Sequence, residues 1–121
     1  MSEVGTITIT ATSREFTEVE QYLMTLDSGI TSMKDVEDGT SIAVDGWLEF
    51  TDNKKDGAVE LIAIIDKNGK AYSAQSATFK RALKNIDGIM HGKPYAIIKK
   101  SGVTKAGRPF IDCSLDVESV R

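Results

Sequence analysis

The sequence predicts a mainly β, single-domain protein: a closed five-stranded barrel with a helix between its third and fourth strands, preceded by a strand-helix extension. Three observations predict it. Apolar and polar residues alternate in several short runs, the period-two signature of half-buried strands. Turn residues punctuate those runs, notably Asn68-Gly69. One amphipathic stripe, Phe79 to Met90, is the only helical pattern in the second half of the chain.

At 121 residues the chain has one domain's length, read here as residues 1–121, with an extension over 1–38 and a core over 39–117. Thr and Ile alternate from Val4 to Thr12, a strand. Thr12-Ser13-Arg14-Glu15 matches a capping box, and Phe16, Val19, Leu23 and Leu26 then repeat at helical spacing. This stripe is expected to cap its own barrel or to meet a second subunit. Residues 30–40 read as a connection. Ser41 to Phe50 is the first core strand. Simple alternation places Ile42, Val44, Leu48 and Phe50 on one face and Asp45, Trp47 and Glu49 on the other, with Gly46 as a bulge or coil point.

Thr51 to Gly57 reads as a polar hairpin loop. Val59 to Asp66 is apolar on both faces, so it is expected to be a covered central strand. Asn68-Gly69 predicts a tight primed turn into a third strand, Lys70 to Gln75. Ser76 or Thr78 can cap the helix that follows. Pro94 to Lys100 is the fourth strand, 101–107 a flexible loop, and Arg108 to Val117 the fifth strand. A helix between the third and fourth of five strands is the OB arrangement, in which the helix plugs one end of a barrel.

Composition excludes several classes. The longest aliphatic run, Leu61 to Ile65, is too short to cross a bilayer, so no membrane association is expected. The polar, acidic start shows no secretory signal, and a lone Cys113 fits a reducing compartment, so a cytoplasmic location is expected. One histidine and one cysteine make no Cys/His zinc site, and no cofactor is expected. No nucleophile elbow, phosphate-cradling loop or zinc-protease motif is present, and the carboxylates are scattered, so no enzyme is expected.

Charge is unevenly distributed. Residues 1–66 carry four basic and fourteen acidic side chains; residues 67–121 carry eleven basic and four acidic ones. Such asymmetry points either to a polyanion-binding face or to mutual neutralisation of the two halves. Aromatic residues beside cations favour the former. Trp47 shares its predicted face with two carboxylates and Phe110 with Asp112 and Ser114, which implies exposure; Tyr72 is balanced between core and surface. Exposed rings stack on any base, and Lys54, Lys55, Lys105 and Arg108, in the loops that flank an OB face, would meet phosphates. Single-stranded nucleic acid is the partner these residue types fit. The competing expectations are an OB-like protein-interaction or assembly subunit, and a regulator whose acidic first half mimics nucleic acid.

Three short motifs add to this reading. Asp38-Gly39-Thr40 opens a strand, Gly69-Lys70-Ala71-Tyr72-Ser73-Ala74 forms a turn and strand, and Thr104-Lys105-Ala106-Gly107 enters the last strand. In that order and spacing the stretch from Asp38 to Asp116 resembles the single-stranded DNA-binding proteins of small tailed bacteriophages that replicate linear DNA by protein priming. The resemblance implies an early viral protein that coats and protects strands exposed during DNA replication in the host cytoplasm. It also implies other replication proteins as partners and allows a homo-oligomer. Tyr72 and the Lys105 loop are the positions that match the family's binding residues. The long acidic recruiting tail of the bacterial tetrameric proteins is absent.

Overall fold

A computed structural model describes residues 3–4 and 6–120; Gly5, inside the predicted N-terminal strand, lies outside the described residues. The chain is mainly β. Its strands are β1 (Glu3–Val4), β2 (Ile7–Thr12), β3 (Thr31–Ser32), β4 (Ser41–Lys54), β5 (Gly57–Asp66), β6 (Ala71–Ala74), β7 (Tyr95–Val103) and β8 (Pro109–Leu115). Its helices are α1 (Glu18–Thr25) and α2 (Ala77–Met90). All the strands join one mixed sheet that curls into a half-barrel.

The long strand β4 organises the sheet. Its first four residues pair antiparallel with Tyr95–Ile98 of β7, its later part pairs with β2, and from Val44 to Lys54 it pairs with β5. β6 continues from β5, and β3 adds to β6 in parallel. β8 pairs with β7 alone, so the sheet does not close into the barrel the sequence predicts: a seam stays open between β8 and the β6 side, whose edge β3 occupies.

A bulge in β4 decides which side chains face the core. Val44 pairs with Asp66 and Gly46 with Ile65, which leaves Asp45 as an extra residue. One extra residue reverses the inside-outside alternation beyond it. Ile42 and Val44 therefore share the inner core with Trp47, together with Ile62, Ile64, Tyr72, Phe79, Leu83, Tyr95 and Ile97. Leu48 and Phe50 turn to the opposite face and pack with Ile7, Met24, Ala63, Ile65 and Ala71. The expectation that Trp47 is partly exposed is thereby corrected: alternation without the bulge put the indole on the wrong face.

Each face of the sheet has its own helix. The side chains of Phe79 and Leu83 from α2 enter the inner core, and Met24 of α1 is fully buried in the outer one. Helix α1 begins later than the sequence predicts. Thr17, not Thr12, is its N-cap, and Thr17 and Glu20 form the capping box. The Ser13 hydroxyl is used elsewhere, accepting from the Trp47 amide at 2.9 Å. The predicted stripe of Phe16, Val19, Leu23 and Leu26 is not the buried one: Val19 and Leu26 are exposed, and Met24 makes the anchor. Phe16 packs instead over Gly46, where a Cβ would stand 2.7 Å from the ring. Arg14 covers that ring at 4.2 Å and ties Glu20 to Asp45.

Two predicted loops are tighter than expected. β4 and β5 run on to Lys54 and Gly57, so the polar segment is a strand ribbon closed by Lys55 and Asp56. β7 continues to Val103, and Thr104 closes the next turn by accepting from the Gly107 amide at its carbonyl and from the Arg108 amide at its hydroxyl. The Asn68-Gly69 turn forms where predicted, but only Gly69 has a positive φ, so it is not the primed type. Asp66 secures it by accepting from the amides of Asn68 and Lys70. Among the described residues, no helix is long and apolar enough to cross a membrane.

Candidate functional site

The open seam holds the site. A cleft of about 850 Å³ lies between the β6 and β8 sides, walled by Leu61 of β5, Ser73 and Ala74 of β6, Lys99 and Ser101 of β7, and Pro109, Phe110 and Ile111 of β8. Ser32 and Lys34 line it beside β3, and residues 75–78 line it where α2 begins.

Sequence dictates how α2 meets the cleft. Ser76 is the N-cap: its hydroxyl accepts from the Phe79 amide at 3.2 Å and donates to the Ile111 carbonyl at 2.7 Å. The second bond pins the helix start to β8 across the gap. The first-turn amides of Ala77 and Thr78 have no intrahelical acceptor, and the helix dipole makes this end partly positive. Their residues line the cleft beside the Lys34 side chain, which is exposed and in no ion pair among the described residues.

Lys99 forms the built wall. It is buried, and its ammonium donates to the Val36 carbonyl at 2.8 Å and to Asp38 at 2.9 Å. The Ser101 hydroxyl donates to the other Asp38 oxygen at 2.5 Å. Ser101 and then Lys99 hold the Asp38 carboxyl below its ordinary range. This bonding fastens residues 36–38, at the entry to β4, onto β7.

The predicted rings divide. Phe110 is half-buried and lines the cleft. Its cross-strand partner is Gly102, which leaves room for the ring to fold over the strand pair. Trp47 is only 8% exposed, and its indole N–H has no partner; the Lys84 ammonium, ion-paired to Glu49, sits 5.8 Å from the ring. Tyr72 is 9% exposed and faces the inner core, where burial and then Asp66 push its phenol up. Neither ring offers an open face, and the exposure expected of Trp47 fails because the bulge turns it inward.

The predicted cations also divide. Lys105 and Arg108 are exposed in the β7–β8 turn, just before Phe110, and make no ion pair among the described residues. Lys54 and Lys55 stand at the β4–β5 tip, and Lys54 has Asp52 at 3.9 Å. The pairing register sends these two hairpins off opposite ends of β4, so the structure does not bring the two basic pairs together.

Sequence reasoning missed Lys34, Leu61 and the α2 entrance. Lys34 is the only basic residue between Arg14 and Lys54, a weak signal within a stretch read as a connection. The cleft itself has no signal, since it results from β3 rather than β8 pairing with the edge of β6. Cys113 sits in the inner core, and burial, then Asp112, pushes its thiol up to about 12, well away from a reactive thiolate. Among the described residues, no group of His, Cys, Asp and Glu is placed to hold a metal ion.

No family model matches the chain, nor does any curated protein or solved structure.

Proposed function

We propose that this protein is a non-enzymatic, sequence-tolerant single-stranded DNA-binding module of the OB type. In this reading β4 to β8 take the five OB strand places, with α2 between the third and fourth. β4 pairs with both β5 and β7, as the first strand of such a barrel does, and the cleft occupies the unclosed joint between β6 and β8.

One observation carries the proposal: a single cleft is lined by an aromatic ring, Phe110, a free cation, Lys34, and the positive end of a 14-residue helix, with Lys105 and Arg108 on the adjoining turn. A flexible single strand presents unstacked bases and a phosphate every nucleotide. A ring and nearby positive groups satisfy both without reading sequence. The overall charge of −3 makes long-range attraction weak, so binding rests on this local patch. The resemblance of 38–116 to the phage single-strand binders supports DNA in replication as the setting, and the host cytoplasm as the place.

The test is fluorescence anisotropy of labelled oligo(dT), with duplex DNA and oligo(U) as competitors, at several salt concentrations. Binding that prefers single strands and weakens as salt rises is the expected result. No binding at low salt overturns the reading and leaves the protein-interaction alternative, to which the exposed apolar side of α1 then belongs.

A further inference from the structure

We propose that Lys99 and Ser101 form an oxyanion subsite in the cleft wall, which the Asp38 carboxylate fills in the free protein and a phosphodiester of the bound strand takes over. The natural ligand rests on the single-strand reading; the subsite itself rests on geometry.

The bonding at Asp38 has the form of a phosphate contact. One carboxylate oxygen accepts from the Lys99 ammonium at 2.9 Å and the other from the Ser101 hydroxyl at 2.5 Å. The two non-bridging oxygens of a phosphodiester can meet the same pair of donors in the same way. Both donor residues line the cleft. Lys99 is 4% exposed, so its ammonium needs an anion beside it at all times. The Asp38 side chain, in contrast, is 56% exposed. Exchanging one anion for another strands no charge, and the departing carboxylate returns to water.

The exchange needs only a side-chain rotation, because the backbone around Asp38 is held independently. The Gly39 amide donates to the Lys99 carbonyl at 2.8 Å, and the Lys99 amide donates to the Thr40 carbonyl at 2.9 Å. The ammonium also keeps its bond to the Val36 carbonyl.

A lone anion and a strand fare differently. Asp38 is tethered beside its donors, so its local concentration is high and free phosphate does not displace it. Asp35 and Glu37, exposed in the same segment, add like-charge repulsion. A strand already seated on Phe110 and Lys34 brings its phosphates to the same cleft at a comparable local concentration. Asp38 is thus a built-in competitor that satisfies the buried ammonium in the free protein and tempers affinity for the strand.

The experiment compares the full chain with Asp38→Ala, the milder Asp38→Asn, and Lys99→Met, each checked for fold by circular dichroism. Thermal melting is followed in inorganic phosphate and in chloride at equal ionic strength. Phosphate is expected to raise the melting temperature of Asp38→Ala by at least ~3 °C and that of Asp38→Asn by less. Wild type and Lys99→Met are expected not to respond. In chloride, anisotropy is expected to show Asp38→Ala binding oligo(dT) about 10-fold more tightly than wild type, and Lys99→Met more weakly. A pinning role alone moves Asp38→Ala the other way, since a loosened wall loses binding. The proposal is overturned if phosphate stabilises no Asp38 variant beyond wild type, or if wild type binds oligo(dT) and Asp38→Ala binds it no more tightly. If no chain binds oligo(dT) while phosphate still stabilises Asp38→Ala, the single-strand reading falls and the oxyanion subsite stands.

Discussion

The Phe110 ring is seated on Gly102, its cross-strand partner: a Cβ at that glycine would stand 2.6 Å from the ring's Cζ. The pair fixes where the aromatic wall of the cleft stands. Phe110→Ala is expected to weaken oligo(dT) binding by about 1–3 kcal/mol, the usual worth of a stacked base. Gly102→Val, which removes no cleft side chain, is expected to weaken it too by lifting the ring. Anisotropy measures both, and unchanged circular dichroism establishes that the loss is one of binding.

The indole of Trp47 gives a prediction of the opposite kind. It is the chain's single tryptophan and lies in the inner core. Its emission is expected to be blue-shifted, resistant to iodide and little changed by saturating oligo(dT). Trp47→Ala is expected to cost about 3–5 kcal/mol of stability, as large core truncations do, measured by urea unfolding. Strong iodide quenching of the folded protein contradicts the placement.

The cations of the cleft and the β7–β8 turn are separable by salt. Lys34→Ala and Arg108→Ala are each expected to reduce the slope of log affinity against log salt by about one. Lys55→Ala, at the far hairpin, is expected to leave it unchanged. Parallel titrations over one salt range check all three.

Lys99 and Asp38 have unequal roles. Asp38→Ala strands a buried ammonium, whereas Lys99→Met replaces it with an apolar chain of similar length and leaves only an exposed carboxylate. The first variant is expected to melt lower than the second. Equal melting temperatures show that the pair contributes through geometry alone.

Arg14 makes Glu20 a source of acid sensitivity. Hydrogen bonding to Arg14, then to the Thr17 amide, lowers the Glu20 carboxyl from its ordinary 4.5 to about 2. A carboxyl depressed by folding stabilises the native state above its unfolded value, and that contribution fades as pH falls from about 4.5 towards 2. Both partners are partly exposed, so the contribution is modest, about 1 kcal/mol. Arg14→Met is expected to lower the melting temperature at pH 7 and to narrow its gap from wild type in that acid window.

Much of the strand plan was legible because the unbroken apolar run of β5 marks a covered central strand and Phe79 and Leu83 fall on one helical stripe, whereas the inward turn of Tyr72 was not, since its strand is short and offers little alternation to read. The bulge at Asp45 was less legible. Gly46 signals an irregularity, but not that Asp45 would be the residue left over, and the faces of Trp47, Leu48 and Phe50 hinge on that detail. At the N-terminus two Thr-x-x-Glu boxes compete, and only tertiary packing of Met24 selects the one at Thr17. Phe110, Lys105 and Arg108 were readable from their strand and turn. Lys34 and the helix entrance come together only through the parallel addition of β3 to β6, a long-range pairing that leaves no local trace.

The seam bears on tolerance to shape. The β7–β8 hairpin is paired to one end of β4 and tied to residues 36–40, and across the opening it is held by the Ser76 bond to Ile111 and by the packing of Cys113 against Phe79 of α2. Side chains and a helix, and no continuous strand ladder, set the width of the opening. On the proposed reading, a gap whose width no ladder dictates suits purines and pyrimidines alike, which differ in girth.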